Sequence, residues 1–279
     1  MPAPARAFTY AALPGRVVFA PGARARLAGE LDRAGIARAL LLCTAGHRTQ
    51  AEQIVAPLGE RIVGIFPGAL MHVPIESVHA ARAYAQRAGA DGCIAIGGGS
   101  TIGLAKAIAL ATALPIVALP TTYSGSEMTP IYGITENSLK TTGRDERVLP
   151  RTVIYDPELT LDLPRELSAA SGLNAIAHAV EGLYAQDGNP IVALMAEESI
   201  AALARALPRI RRDPLDLEAR SDALYGAWLA GSVLGAVGMA LHHKLCHTLG
   251  GTFGLPHAQT HAIVLPYAAA YNAPFARDA

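Results

Sequence analysis

The sequence predicts an α/β domain with a parallel sheet, followed by an all-helical domain. In the first half, short apolar runs of strand length alternate with amphipathic segments of helix length. Such alternation is typical of a parallel sheet that is covered by helices on both faces. After Thr152–Ile154 the alternation stops, and only helix-length segments follow. We therefore place one domain at residues 1–157 and a helical domain at residues 158–279.

The individual elements follow from apolar runs and from helical periodicity. The predicted strands are Val17–Phe19, Ala39–Cys43, Ile62–Phe66, Gly92–Ile96, Ile116–Leu119 and Thr152–Ile154. The predicted helices between them are Ala23–Ala34, Gln50–Leu58, Ile75–Ala88 and Ser100–Ala111. Beyond a boundary near Pro157–Pro164, the predicted helices are Ser168–Tyr184, Ile191–Leu207 and Leu217–Leu241.

The composition narrows the class of protein. Hydrophobic residues make up 51% of the chain and charged residues 16%, which supports a large core and excludes disorder. Lys+Arg and Asp+Glu balance at 23 each, so net charge gives no reason to bind nucleic acid or an anionic membrane. Three cysteines without a CxxC pair and a start without a signal-peptide core lead us to expect a reducing, cytoplasmic location.

One uncharged stretch, Ala223 to Leu241, is long enough to cross a bilayer. It is rich in glycine and alanine and runs directly into a group of histidines. We interpret it as a buried helix of the helical domain rather than as a membrane span.

A glycine-rich turn follows the fourth predicted strand. Gly97, Gly98 and Gly99 permit a tight backbone turn and a close ligand approach, and Ser100 is expected to cap the helix that follows. The free N–H groups of such a helix start bind a pyrophosphate well. An ordinary βα turn is the alternative, but the position in a parallel sheet favours a dinucleotide site.

A second polar loop, residues 120–127, follows the next strand and should reach the same crevice. Thr121, Thr122 and Ser124 can hydrogen-bond the cofactor, although a solvated loop is the alternative. The second strand ends at Cys43 without the acidic residue that usually holds a ribose hydroxyl. NADH and NADPH therefore both remain open.

Nine histidines occur, and five of them fall between His242 and His261. His243 and His247 are four residues apart and share one helix face, as do Asn174 and His178. With His257, these residues can meet in one cleft as a functional site, although single histidines are usually structural. Three imidazoles could hold a transition metal, but Asn174 offers only a neutral amide oxygen.

These motifs resemble the iron-containing (group III) alcohol dehydrogenases, which have the dehydroquinate synthase-like fold. The similarity rests on Gly97–Ser100, the Pro120–Glu127 loop, Asn174-x3-His178 and His243-x3-His247 with Pro256-His257. In the metal-using members, an Asp and three His bind the metal, at the positions of Asn174, His178, His243 and His257. His247 falls on a further histidine of the catalytic site. Members normally continue with further helices, so we expect this chain to lack its C-terminal ones.

At three positions the sequence departs from the family pattern, and at these positions it resembles the maleylacetate reductases. Asn174 replaces the ligand Asp, Gly103 replaces the Asp of GGGSxxD, and the 120–127 loop is one residue shorter. The resemblance implies NAD(P)H-dependent reduction of the C=C bond of maleylacetate to 3-oxoadipate, by a homodimer and without a metal. Asn174, His178, His243, His247 and His257 would be the catalytic residues.

The implied substrate is a dicarboxylate, which requires cations near its ends. Lys140, Lys244 and Arg144 are candidates with Tyr123, although each cation could equally be a solvated surface residue. Other functions stay open: a metal-dependent alcohol or polyol dehydrogenase, a dehydroquinate-synthase-like lyase that uses NAD transiently, and a non-catalytic nucleotide-binding protein.

Overall fold

The computed structural model describes residues 8–13, 15–137 and 139–276. Its main sheet has six parallel strands in the order β1-β8-β5-β4-β2-β3. These strands are β1 Arg16–Phe19, β2 Ala39–Leu42, β3 Ile62–Phe66, β4 Gly92–Gly97, β5 Ile116–Pro120 and β8 Thr152–Tyr155. The connecting helices are α1 Leu27–Ala34, α2 Arg48–Val55, α3 Ile75–Ala88 and α4 Gly99–Thr112.

The sheet is buried on both faces, as its continuous apolar runs predict. Along β2 and β4, alternate residues enter opposite cores: Leu41 and Ile94 pack on one face, and Leu40 and Ala95 on the other. A strand with two buried faces cannot alternate apolar with polar residues. The predicted fold class is confirmed.

The second half consists of helices. They are α5 Arg165–Leu183, α6 Pro190–Arg212, α7 Leu217–Ala236, α8 Leu241–Phe253 and α9 His257–Asn272. Small side chains on α7, such as Ala223 and Ala227, are fully buried in a core that also reaches the sheet. The helices therefore pack against the sheet domain and leave a cleft at one end. The domain limits 1–157 and 158–279 stay a prediction.

Three elements differ from the sequence predictions. An antiparallel hairpin, β6 Ile131–Glu136 and β7 Leu139–Arg144, was not predicted, because β7 is mostly polar and exposed and β6, although partly apolar, is only half-buried. Helix α9 was also not predicted. The single helix predicted over Leu217–Leu241 ends at Ala236, because carboxylates of the helical domain bind the amide groups of the break that follows.

Within the described ranges, we find no single helix that is long and apolar enough to cross a membrane. Helices α7 and α8 meet the length and composition requirement only as a pair, and this pair is bent by 95°. The expectations drawn from the two ends of the sequence concern residues 1–7 and 277–279, which lie outside the described part of the chain.

Candidate active site

A cleft of about 1090 Å³ lies at the carboxyl ends of β4 and β5, between the sheet, the β6–β7 hairpin and helices α5, α7, α8 and α9. The glycine loop lines one wall, and the histidines line the opposite wall. The predicted residues that border the cleft are Gly99, Ser100, Thr122, Ser124, Lys140, Arg144, Asn174, His178, His243, Lys244, His247 and His257. The structure thus brings both predicted motifs into one space.

The glycine loop has the shape that its sequence predicts. Gly97 has a φ of +153°, and a Cβ there would lie 2.9 Å from Cβ of Thr101. A Cβ on Gly98 would lie 2.8 Å from the Thr122 side chain, so the two loops touch. Both positions therefore require glycine, although neither lines the cleft itself.

The start of α4 differs from the prediction in one respect. Helix α4 begins at Gly99, with Gly98 in the cap position, so Ser100 lies inside the first turn and is not the cap. In the described part of the chain, we find no side-chain cap on this helix. The amides of Gly99 and Ser100, two residues that line the cleft, are therefore available to an anion.

The second loop places only part of its hydroxyls on the cleft. Thr122 and Ser124 line it, whereas Thr121 is buried and its amide donates to the carbonyl of Gly97 at 3.1 Å. Tyr123 is fully buried, and its hydroxyl accepts a hydrogen bond from Arg220 at 3.2 Å. The prediction of Tyr123 as a substrate contact is therefore corrected: its ring belongs to the core.

Lys106, in the middle of α4, is a buried residue that our sequence reasoning missed. Its Nζ donates to the carbonyl oxygens of Ser126, Thr129 and Ile131 at 2.6–2.7 Å. Burial lowers the pKa of Lys106 to about 7. It ties α4 to the segment that leads into the hairpin. A lone lysine within an apolar helix was the signal for it in the sequence.

The predicted catalytic residues converge on the helical wall. Asn174 and His178 come from α5, His243 and His247 from α8, and His257 begins α9. The rings of His178 and His243 are stacked 4.8 Å apart, and those of His247 and His257 are 6.0 Å apart. His243 and His247 are 6.1 Å apart, so the imidazoles form one continuous group.

Three buried residues beside this group, His242, His261 and Glu181, were not predicted as site residues. His261 lies one turn beyond His257 on α9 and is fully buried, with its ring 4.8 Å from that of His243. Glu181 lies on the same face of α5 as Asn174 and His178, and it is also fully buried. Its spacing of seven residues from Asn174 and three from His178 was the signal that we overlooked.

Glu181 organises the start of α8. Its Oε1 accepts from the amide of His242 at 2.7 Å, and its Oε2 accepts from the amide of Ala240 at 3.0 Å and from Nδ1 of His243 at 2.6 Å. Burial raises the pKa of Glu181, but these hydrogen bonds outweigh burial and hold the pKa below its ordinary value. The Glu181 carboxylate therefore fixes the His243 ring, and the other ring nitrogen, Nε2, points away from Glu181.

The other histidines are held neutral. Burial, and then the neighbouring imidazoles, lower the pKa of His178 well below its ordinary value. Burial and the charge of Lys140 lower the pKa of His257 to about 3, and burial also strongly lowers the pKa of His261. Among these rings of the described residues, the one that hydrogen-bonds a carboxylate is His243.

The candidate cations occupy different positions. Lys140 and Lys244 line the cleft with exposed side chains. Arg144 also lines it, but its guanidinium donates to the carbonyl of Gly235 at 2.6 Å and thereby ties the hairpin to α7. Lys140 and Lys244 are thus the better placed cations for an anionic ligand.

Several polar atoms of the helical wall are buried. Oδ1 of Asn174, Nδ1 of His178 and Nε2 of His243 have no hydrogen-bond partner within the described residues. Buried polar atoms of this kind indicate a site for a polar ligand. Within the described residues, His242, His243 and His261 each offer a nitrogen that could bind a metal ion, and these atoms lie within 4.8 Å of one another. This set contains no carboxylate.

The comparisons with known proteins agree with this geometry. The model of the iron-containing alcohol dehydrogenase family matches residues 14–157, and the model of the family's C-terminal part matches residues 168–279. The chain belongs to the iron-containing alcohol dehydrogenase family.

Within that family, the chain groups with the maleylacetate reductases. It is 62% identical to the maleylacetate reductase of Sphingobium indicum over 98% of this chain and 77% of the relative, and 61% identical to that of Burkholderia cepacia. The crystal structure of maleylacetate reductase from Rhizobium sp. strain MTP-10005 superposes with a TM-score of 0.95 at 53% identity, covering 98% of this chain and 78% of that one. The resemblance seen in the sequence is confirmed.

Proposed function

We propose that this protein is an NAD(P)H-dependent maleylacetate reductase, which reduces the C=C bond of maleylacetate to give 3-oxoadipate. One observation carries the proposal: a single cleft is lined by a glycine loop with a free helix start and by a histidine group with two lysines. The 54–62% identity to curated maleylacetate reductases supports this substrate over other carbonyl compounds.

The residues present fit a nicotinamide dinucleotide. The free N–H groups at the start of α4 suit a pyrophosphate, and the missing Cβ atoms of Gly97 and Gly98 let the loop pack closely against Thr101 and Thr122 beneath it. Thr122 and Ser124 supply hydroxyls to the same space. When bound, the dihydronicotinamide supplies the hydride. NADH and NADPH are both proposed, because no carboxylate follows β2 to repel a 2′-phosphate.

The cations of the cleft suit a dianionic substrate. Lys140 comes from the hairpin and Lys244 from α8, so cations flank the histidine group from two elements. Replacing each lysine by methionine should raise the KM for maleylacetate about tenfold while leaving the KM for NADH unchanged, because a charge-assisted hydrogen bond is worth about 1.5–3 kcal/mol.

The reduction needs one group that stabilises an enolate. Hydride addition to the alkene carbon β to the ketone moves the electron pair of the C=C bond onto the ketone oxygen. Hydrogen-bond donors on the helical wall then stabilise the enolate oxygen, and a proton adds to the neighbouring carbon. We assign this role to His243 with a proton on both ring nitrogens: Nδ1 donates to Glu181 at 2.6 Å, which holds the ring, and Nε2, which has no other partner in the described chain, donates to the enolate and supplies the proton that the carbon takes up.

The donors of the histidine wall do not fit the family's iron. A ferrous site of open geometry normally uses two histidines and one carboxylate. Here the position of the ligand Asp is Asn174, and the nearby carboxylate, Glu181, is engaged by His243 and by two amide groups. We therefore propose that the reaction proceeds without a metal. An enolate spreads its negative charge and needs a metal less than an alkoxide does.

One assay tests the function. Purified protein should oxidise NADH or NADPH on addition of freshly generated maleylacetate, with 3-oxoadipate formed in equal amount, and no turnover with either cofactor contradicts the proposal. Activity should persist in EDTA. Stoichiometric metal, with activity lost in EDTA and restored by Fe²⁺ or Zn²⁺, would instead indicate a metal-dependent alcohol dehydrogenase. A lyase would consume no net NADH.

The family resemblance also supports a cytoplasmic homodimer. Light scattering after size-exclusion chromatography should give twice the 29.0 kDa mass of the chain. A mass of one chain at assay concentrations contradicts the dimer and leaves the proposed reaction in place.

A further inference from the structure

We infer that His72, on the loop between β3 and α3, is a substrate-binding residue that forms with Lys140 the subsite for one carboxylate of the substrate. This inference rests on the proposed function and extends it, since it names a residue that specifies a dicarboxylate. His72 and its neighbours Met71 and Val73 line the same cleft as Lys140 and the histidine wall.

The backbone of this loop is strained. His72 has a φ of +64° and Val73 a φ of +52°, a conformation that L-residues rarely adopt and that β-branched residues adopt least. Two successive residues of this kind persist only where their surroundings impose them, and such strain concentrates at functional sites. The strain fixes the direction of the His72 side chain, which a relaxed loop would leave free.

The loop is held in place by the hairpin. Thr135 Oγ1 donates to the carbonyl of His72 at 2.7 Å, and the amide of Thr135 donates to the carbonyl of Val73 at 3.0 Å. Thr135 is also the cross-strand partner of Lys140, so both side chains lie on one face of the hairpin. Thr135 thereby places His72 beside Lys140.

The direction of Lys140 is set by a glycine. A Cβ on Gly133 would lie 2.8 Å from Cε of Lys140, so the lysine stem crosses the hairpin where residue 133 has no side chain. The charge of Lys140 also lowers the pKa of His72, after the larger effect of burial, which agrees with their proximity.

Gly103 on α4 completes the arrangement. A Cβ at position 103 would lie 2.7 Å from Cγ2 of Val73. Without a side chain at 103, Val73 packs against α4 and the strained loop closes over the cleft.

The first test compares His72→Gln with His79→Gln, a matched control because His79 is exposed on α3. In steady-state NADH oxidation, His72→Gln should raise the KM for maleylacetate about tenfold and leave the KM for NADH within twofold. His79→Gln should change neither value. An unchanged KM for maleylacetate in His72→Gln overturns the inference.

The second test uses the contact between Gly103 and Val73. Gly103→Ala should raise the KM for maleylacetate, and adding Val73→Gly should restore it, because glycine leaves room for the new Cβ and accepts a positive φ. Melting curves separate unfolding from a local effect. Failure of Val73→Gly to restore the KM in folded protein contradicts the packing argument.

A third measurement separates this inference from the proposed reaction. Binding of 3-oxoadipate, measured by titration calorimetry, needs no turnover. If the wild type turns over no maleylacetate but binds the dicarboxylate about tenfold more tightly than His72→Gln does, the reaction is wrong and the subsite stands. If both proteins bind it equally, the subsite is wrong.

Discussion

The histidine wall depends on one buried carboxylate, so replacing Glu181 with glutamine is a sharp test of it. The native carboxylate accepts from the amides of Ala240 and His242 and from Nδ1 of His243. Glutamine keeps one acceptor oxygen and places an NH₂ group where the other oxygen lay. Because NH₂ cannot accept, at least one of these donors loses its partner.

The structure gives the size of the effect. The best orientation puts the amide oxygen at the position of Oε2, where it keeps the contacts to Ala240 and His243 and loses the one to His242. Hydrogen bonds to charged groups are worth about 1.5–3 kcal/mol, so the free energy of unfolding should fall by about 2 kcal/mol. A similar weakening of the partner of His243 should lower kcat by about 10- to 100-fold.

Two measurements check this expectation. Denaturant unfolding reports the stability, and NADH oxidation with maleylacetate reports kcat. The KM for NADH should stay within twofold, because the glycine loop lies on the opposite wall. Glu197→Gln, at an exposed position of α6, serves as the control and should change neither quantity. A Glu181→Gln protein with native stability and a kcat within twofold of wild type would refute the reasoning.

Three further predictions concern single residues. Gly97→Ala should raise the KM for NADH more than tenfold. Gly29→Ala, on α1, is the control and should not lower stability, because a Cβ at this position meets nothing within 4 Å. Asn174→Asp should gain bound Zn²⁺ or Fe²⁺ by elemental analysis and lose reductase activity; metal content equal to wild type contradicts this. The pKa of His257 is lowered to about 3, so its stabilising effect is complete above pH 6.5 and is lost as pH falls toward 3. In denaturant titrations between about pH 6 and 4, His257→Gln should reduce the slope of stability against pH by about 1.4 kcal/mol per unit, and an unchanged slope contradicts it.

The sheet domain was predictable because burial on both faces leaves a clear pattern. β3 and α3 have the predicted bounds, and the remaining strands of the sheet differ from theirs by one residue at an end. The glycine loop was predictable for a related reason: Gly97 needs a conformation and a clearance that few residues provide. In each case, a local physical requirement restricts the residue types at a position.

The hairpin was not predictable in the same way. β7 is mostly polar and exposed, β6 is only half-buried, and β6 is held in place by a loop distant in sequence, through the hydrogen bond from Thr135 to His72. Glu181 was missed because a single acidic residue in a helix is usually solvated. Its role depends on the amide groups of α8, which are distant in sequence and become neighbours only in the fold.

Two departures from the family pattern, noted in the sequence, lie in the same cleft. Gly103 and Asn174 both line it, and each replaces an aspartate of the family motif. Two unit charges 4 Å apart interact by about 4 kcal/mol at an effective dielectric constant of 20, so a carboxylate at either position would strongly repel a dianionic substrate. Asp187 also lines the cleft, but both of its oxygens accept from the amide of Gly238. We therefore expect the glycine at 103 and the amide at 174 to favour a dianionic substrate over a bound cation.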